Sequence, residues 1–237
     1  MCPLGSHCSP GRDHRQDFDA VFIGVGLGAD SRLGIPGEDG PGVTGATAWI
    51  ERMKLEPGLR PPAASRAIVI GGGNTAIDAA RELAKLGVKD VAMLYRRTQA
   101  DMSGYAHELE LARKEGVRLI ERAVPEAFVR DGGRLVAVRL ADGSEVPCEL
   151  AVVAIGQAKL GAVAQAFAGV AVDAKGLVVT DPATGATGNP KVWAGGDALG
   201  GELVVTAVQE GKRAARAIAK ALELPERDDA PMNAGHE

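Results

Sequence analysis

The stretch "AIVIGGGNTAIDAAREL", residues 67–83, runs from an apolar segment through consecutive glycines straight into a helical pattern. Gly71-x-Gly73-x-x-Ala76 thus follows a strand and opens a helix, the context in which this spacing serves a pyrophosphate. The first glycine permits the tight turn and the second lets the backbone approach the anion. The small residue at 76 lets helix and strand pack closely. Free N–H groups and the dipole at the helix start hold the negative charge, with Asn74 and Thr75 as side-chain donors. The helix is expected over about 74–86 with Gly87 as its stop, and "VAMLYR", 91–96, then reads as the second strand of a βαβ unit. A glycine turn that merely joins strand to helix does not account for that whole order.

The end of the second strand bears on which nucleotide fits. An acid there would bind a free ribose 2′-OH; the sequence has Tyr95-Arg96-Arg97 instead. Asp90 has about the right spacing but precedes the strand, at the wrong end of the sheet. Two guanidiniums suit a 2′-phosphate, which arginine grips in bidentate fashion. NADPH is the expected dinucleotide. Tyr105 and His107, on a helix just beyond the arginines, fit cofactor-edge contacts or ordinary surface positions, the second being the preferred reading.

Working outward, a helix near 105–115 closed by Gly116 leads to the strand "VRLIER". "EAFVR", "RLVAVRL" and "SEVPC" follow, separated by Asp-Gly turns that signal an antiparallel meander. "LAVVAIG", 150–156, returns to a buried strand. A strand is expected near 177–180, then "KVWAG" and a long helix over about 202–222. Upstream lie "FDAVFIGVGLG", 18–28, a buried-type strand running into glycines; a helix near 46–54; and a linker by composition at 56–66. Residues 1–17 and 223–237 read as flexible tails. The fold class is α/β.

Composition narrows the function. The chain has 237 residues, 46% of them hydrophobic, enough for a sizeable core. A formal net charge of −4 offers no basic field for nucleic acid. No apolar run approaches the roughly 18 residues of a membrane span, so no membrane partner is expected and the location reads as cytoplasmic. Cys2, Cys8 and Cys148 are too few for a disulfide framework, and no Cys-x-x-Cys pair occurs. No metal site is expected. His7, His14, His107 and His236 form no cluster, and no side-chain nucleophile or general base stands out, so catalytic residues are left unassigned.

"GGGNTAIDAA", "LYRRTQADMSGYAHELELARKEGV", "VVAIGQ" and "VWAGGDALGGELVVTAVQEGKRAA" occur in that order, and together they resemble the FAD-dependent NADPH oxidoreductases typified by the glutamate synthase small subunit. The flavin module of dihydropyrimidine dehydrogenase is similar. The likeness covers about residues 17–222. It implies a Rossmann-like NAD(P)H-binding domain over 61–158, carrying the meander. That domain would be inserted in a partial FAD-binding domain made of 18–60 and 159–222. The resemblance places Gly71, Gly73, Asn74, Thr75 and Ala76 on the pyrophosphate and Arg96 and Arg97 on the 2′-phosphate. Gly156 and Gln157 would lie near nicotinamide and flavin, and Gly196 and Asp197 on the ribitol-phosphate part of FAD. Val204, Val205 and Thr206 would open a helix against the flavin ring. The expected activity is hydride transfer from NADPH to flavin and passage of electrons to a partner or acceptor.

"DFDAVFIGVGLGADSRLGIPGED" resembles the family's crossing strand, and 17 residues precede it. Gly24-x-Gly26-x-x-Ala29 matches the phosphate pattern literally, but Pro36 among glycines cannot continue the required helix. The expectation is therefore a family member lacking the amino-terminal half of its FAD site, either completed by a partner subunit or holding FAD weakly. The alternatives are a flavin-free NADPH-binding module and a truncated fragment without its own turnover.

Overall fold

A computed structural model describes residues 18–56, 64–201 and 203–225. The tail at 1–17, most of the linker at 57–63 and the tail from 226 onward lie outside the described residues, with Cys2, Cys8, His7, His14 and His236. Among the described residues strand β1 (Val21–Ile23) comes first, then β2 (Val43–Gly45) leading into α1 (Ala46–Leu55). Next come β3 (Arg66–Ile70), α2 (Asn74–Lys85), β4 (Asp90–Leu94), α3 (Ala106–Lys114) and β5 (Arg118–Ile120). The meander β6 (Pro125–Asp131), β7 (Arg134–Leu140) and β8 (Glu145–Pro147) precedes β9 (Leu150–Val153). A short α4 (Gly161–Gln165), β10 (Val192–Ala194) and α5 (Val204–Ala221) complete the order.

Of the described residues, those within 29–158 make one compact unit, and those of 18–28 together with those within 159–225 make another. In the larger unit a parallel five-stranded sheet has the order β2-β9-β3-β4-β5, and β6-β7-β8 form a separate antiparallel sheet. Side chains alternate across the parallel sheet with the period of two that strands impose. Ala67, Val69, Val91, Met93 and Val152 share a core with Trp49, Ile77, Leu83 and Leu109 of the helices. Ile68, Ile70, Leu94, Ala151 and Val153 share the other with Phe128, Leu135 and Val138 of the meander. Both faces are covered, which is why "AIVI" and "AVV" are apolar throughout rather than alternating with polar residues.

The glycine stops act as the sequence suggests. At the end of α2, Gly87 takes φ +91°. Its N–H donates to Ala84 O and the next N–H, of Val88, donates to Leu83 O. Gly116 repeats this at the end of α3, with φ +91° and bonds from Gly116 and Val117 to Arg113 O and Ala112 O. These satisfy the last helical carbonyls in a Schellman arrangement that only a glycine adopts cheaply. The β6–β7 turn places both Gly132 and Gly133 at positive φ, +54° and +82°, which matches the twist of the paired strands.

Two expectations change. The strand sought at 177–180 is only an isolated bridge, Val172 to Val178. Residues 29–56, grouped by sequence with the flavin part, pack within the larger unit. β2 pairs in parallel with β9, Val43 beside Ala151 and Gly45 beside Val153, and α1 buries Ala46 and Trp49 in the helical core. The strand expected to run into glycines within 18–28 covers Val21–Ile23, with Gly24 next.

Asp30 explains how that segment is fixed. Its carboxylate accepts from the N–H groups of Thr47 (3.0 Å) and Ala48 (3.1 Å), in the first turn of α1. The helix's own cap, Gly45, makes no side-chain cap bond. A Cβ there would fall 2.1 Å from Asp30 Oδ2. A residue distant in sequence thus does the work of an N-cap, adding a negative charge at the positive end of the dipole. Asp30→Ala is expected to lower stability by about 1 kcal/mol, read from urea unfolding, with Asp30→Asn losing less.

The smaller unit has a two-stranded parallel sheet, β1 with β10. Ile23, Val178, Val192, Ala194 and Ala198 form its core. On α5, Val204 and Val205 are 82% and 70% exposed.

Candidate functional site

In the parallel sheet β3 lies between β4 and β9: the chain steps outward from β3 to β4 and β5, then returns by way of the meander to β9 on the other side of β3. Open α/β sheets bind ligands at the carboxyl ends of strands at such a switch point. Gly71 stands there, directly after β3. Its φ is +150° and an added Cβ would lie 2.2 Å from the backbone oxygen of Ala154, just past β9. Its N–H donates to Leu94 O at 3.0 Å, the last residue of β4. The turn is held between two neighbouring strand ends with no room for a side chain.

Gly72 and Gly73 have different reasons to be bare. A Cβ on Gly72 would lie 2.5 Å from the ring of Tyr95. At Gly73 it would meet only Ser103 Oγ, at 3.5 Å, an ordinary contact. Gly72 is therefore fixed by internal packing, whereas Gly73 leaves the backbone accessible from outside. Gly73 caps α2 without a side-chain bond, and no acid occupies the helix's first turn. Ala76 is fully buried, its Cβ 3.2 Å from where a Cβ on Gly71 would sit. Thr75 is exposed and Asn74 half-buried.

The segment after β4 folds back onto this loop. Gly104 N–H donates to Gly72 O at 3.0 Å, and a Cβ at Gly104 would strike Ile77 Cδ1 at 2.5 Å. Tyr105 N–H donates to Asn74 Oδ1 at 2.8 Å. Asn74 Oδ1 is thus an acceptor that ties the start of α3 to the loop, leaving its amide nitrogen as the donor. Tyr95 Oη donates to Asp101 O at 2.8 Å. Arg81 of α2 completes the brace, bonding Glu115 at 2.9 Å through both Nε and Nη2 and pairing with Glu108. The Arg81 guanidinium holds the Glu115 carboxyl below its ordinary range despite burial pushing the other way. Tyr105 and His107 are exposed, their rings stacked with centroids 5.6 Å apart.

Arg96 and Arg97 are exposed at the carboxyl end of β4. Arg97 lies over the Tyr95 ring, 5.7 Å from its centroid. Asp90 starts β4 at the opposite edge and pairs with Arg118 at 2.6 Å, so it is spent structurally and away from the loop. Gly156, φ +107°, follows β9 on the far side of Gly71; its carbonyl accepts from Ser31 N–H at 2.8 Å. Gln157 bridges antiparallel to Asp30. Gly24-x-Gly26-x-x-Ala29 opens no helix, the next one beginning at Ala46.

Gly196, Asp197, Val204, Val205 and Thr206 belong to the smaller unit. Gly196, φ +74°, begins a 3-10 turn, Gly196–Leu199, after β10. Its N–H donates to Glu210 Oε2 of α5 at 2.6 Å, which sequence reading missed. Asp197 is half-buried. α5 begins at Val204 with no side-chain cap and no acid in its first turn. Reading by motif also passed over Asp30, Tyr95 and Gly104; only Gly104, a glycine ahead of a helix, carried any signal.

Known proteins match this arrangement. The family profile described as pyridine nucleotide-disulphide oxidoreductase covers residues 5–211. The chain belongs to that family. It is 36% identical to the NADP(+)-dependent formate dehydrogenase subunit beta of Moorella thermoacetica, over 86% of this chain and 32% of that one. It is 32% identical to the glutamate synthase [NADPH] small chain of Escherichia coli, over 90% of this chain and 52% of that one. The chain therefore spans about a third to a half of these relatives. Among solved structures, T. acidophilum thioredoxin reductase superimposes with a TM-score of 0.71 at 24% identity, over 86% of this chain and 66% of that chain. That likeness carries the fold, the two-dinucleotide-domain architecture. The oxidoreductase class and the kinship with glutamate synthase small chains stand as expected from the sequence.

The disulphide part of the family's description finds little in Cys148, the cysteine among the described residues. It is fully buried, and burial, with the Glu149 charge, pushes its thiol up to about 12. With Cys2 and Cys8 changed to serine, Cys148 should resist thiol reagents at pH 8 until the chain unfolds. Because the folded form keeps its proton longer, stability should fall as pH rises above about 8.5, the ordinary thiol value. Gly71→Ala should cost ~1–3 kcal/mol by forcing apart the β3 and β9 ends, measured by chemical unfolding. Unchanged stability would refute that crowding.

Proposed function

We propose that the larger unit binds NADPH, with its pyrophosphate on the bare backbone at Gly73 and the start of α2. Arg96 and Arg97 then take the 2′-phosphate, while Gly156 and Gln157 flank the nicotinamide on the β9 side. The observation that carries this is the contrast within one loop. Gly71 and Gly72 are bare because the protein fills their space, and Gly73 is bare where it does not. A helix N-terminus without cap or acid supplies the donors.

The broader reading is a cytoplasmic NADPH-dependent flavin oxidoreductase or electron-transfer subunit, supported by family membership and by the relatives named above. When bound, the nicotinamide supplies hydride to a flavin, which passes electrons on to a partner or acceptor. Residues of this chain that would hold FAD are Asp197 beside the ribitol-phosphate and the uncapped start of α5, Val204 to Thr206, against the ring. The donor at Gly196 does not fit that role, since its N–H is already engaged by Glu210. Val204 and Val205 supply apolar area that excludes water from a ring laid over them, and the α5 dipole favours negative charge there. A partner subunit, or further chain of the kind the longer relatives have, would supply the remaining flavin contacts.

Gly73→Ala tests the nucleotide part. Its Cβ has room, so the folded chain should keep its Tm while NADPH affinity, by fluorescence titration, drops about tenfold or more, ~1.4 kcal/mol. Equal affinity in both proteins would sink the placement. An absorbance spectrum with added FAD, then NADPH without oxygen, tests the rest. A flavin band that bleaches supports the oxidoreductase reading. No flavin uptake reduces it to an NADPH-binding module awaiting another chain.

A further inference from the structure

We infer that Arg122 is a third guanidinium of the 2′-phosphate edge and helps the site select NADPH over NADH. This rests on the NADPH reading above. β5 ends at Ile120, yet its pairing with the β4 side goes on irregularly past both strands. Tyr95 N–H donates to Ile120 O at 3.0 Å, Arg122 N–H to Arg97 O at 3.0 Å, and Ala123 N–H to Tyr95 O at 2.9 Å. Arg122 is thereby tied by its own backbone to Arg97, at the carboxyl edge of the sheet where Arg96 and Arg97 lie.

Nothing local accounts for an arginine at this position. Its φ is +53°, the left-handed region that disfavours a residue with a Cβ. Glycine or asparagine would adopt that backbone more readily. The side chain is exposed rather than packed, and among the described residues no ion pair to it is found. The neighbouring acids form no ion pair with it among the described residues, though Arg97 lies near enough to Asp101 to help the Thr98 hydroxyl hold that carboxyl low. Glu121 accepts from Gln99 N–H, and Asp101 from the N–H and hydroxyl of Thr98.

Guanidiniums gathered at one edge attract an anion that carries more than one charge. A phosphate monoester, with about two negative charges and several acceptor oxygens, is the anion that rewards more than one arginine. On a strand-end edge beside a pyrophosphate loop, the monoester that fits is the 2′-phosphate of the dinucleotide. It distinguishes NADPH from NADH and leaves the rest of the ligand unchanged. Arg122 is thus a specificity residue, drawn from just past β5 rather than from the β4 end where sequence reading looks for one.

The test is Arg122→Gly in the full chain, with Arg122→Asn as a second residue that tolerates the backbone. NADPH, NADH, 2′,5′-ADP and inorganic phosphate are each titrated, and thermal unfolding is followed alongside. Both variants should unfold at the wild-type temperature or above it. NADPH and 2′,5′-ADP should bind about tenfold more weakly, with NADH unchanged, so the preference narrows. If the wild-type protein prefers NADPH and both variants keep the full preference, Arg122 is outside the site. It is equally outside the site if the variants lose NADPH and NADH alike with a lowered Tm, which marks a structural role. If inorganic phosphate alone binds in an Arg122-dependent way, the edge is a free-phosphate site and the inference falls. Wild-type protein that binds both dinucleotides equally, or neither, overturns the NADPH reading itself.

Discussion

The larger unit depends on how closely two strand ends approach one another at Gly71. The turn after β3 must pass within van der Waals reach of the Ala154 carbonyl while its N–H stays bonded to the end of β4. That geometry sets the pivot from which α2 leaves the sheet. It also puts Ala76 under the turn, so the helix starts flush with the strand ends. From this pivot the other constraints follow in order. Gly72 yields space to Tyr95, Tyr95 reaches Asp101, and the 98–105 segment returns to bond Gly72 and Asn74. A loop so enclosed is held by the protein's own contacts, with the space beside Gly73 left open; a ligand bound there would not have to order it, and the entropy that such ordering costs would be spared.

What the sequence made legible was local. The βαβ unit, both glycine helix stops and the meander's turn are written in period and turn chemistry over a few residues, and α2 and α3 lie within a residue or two of their expected bounds. The glycine loop was readable for the same reason, because each residue's role is set by its neighbours. Asp30 was not. Its bonds to Thr47 and Ala48 span a gap of 17 and 18 residues, and nothing in "GADSRLG" marks an aspartate as the cap of a later helix. The grouping of residues 29–56 with the flavin part missed the same long-range pairing. A three-residue strand such as β2 has too little pattern to announce which sheet it joins; β9, over a hundred residues later, decides it.

The smaller unit shows the other side of this. Its motif, "VWAGGDALGG", was clear, yet the bond that organises it runs from Gly196 N–H to Glu210, within a helix that reads simply as amphipathic. A charge on such a helix looks solvated until a partner's position is known. The apolar start of α5 carries the opposite ambiguity. Val204 and Val205 would pass for core residues by type, but they stand among the most exposed large apolar side chains described. Large exposed apolar groups at a helix start, next to a glycine turn, are what a surface meant to be covered looks like.

Arginine usage separates structure from function more sharply than any single motif. At the amino edge of the parallel sheet, Arg66 pairs with Glu149 and Arg118 with Asp90, each at 2.6 Å. Between α2 and α3, Arg81 is shared by Glu108 and Glu115. Exposed pairs of the first kind contribute little to stability, but they neutralise charge where it occurs. At the carboxyl edge the pattern stops. Arg96, Arg97 and Arg122 have no carboxylate in an ion pair among the described residues, while nearby Asp101 and Glu121 cap backbone N–H groups instead. Random surface charge would not sort itself by the two ends of one sheet. The arginines at the sheet's amino edge are spent in ion pairs, and the three without one among the described residues stand at the carboxyl edge, the side of the switch point beside β3.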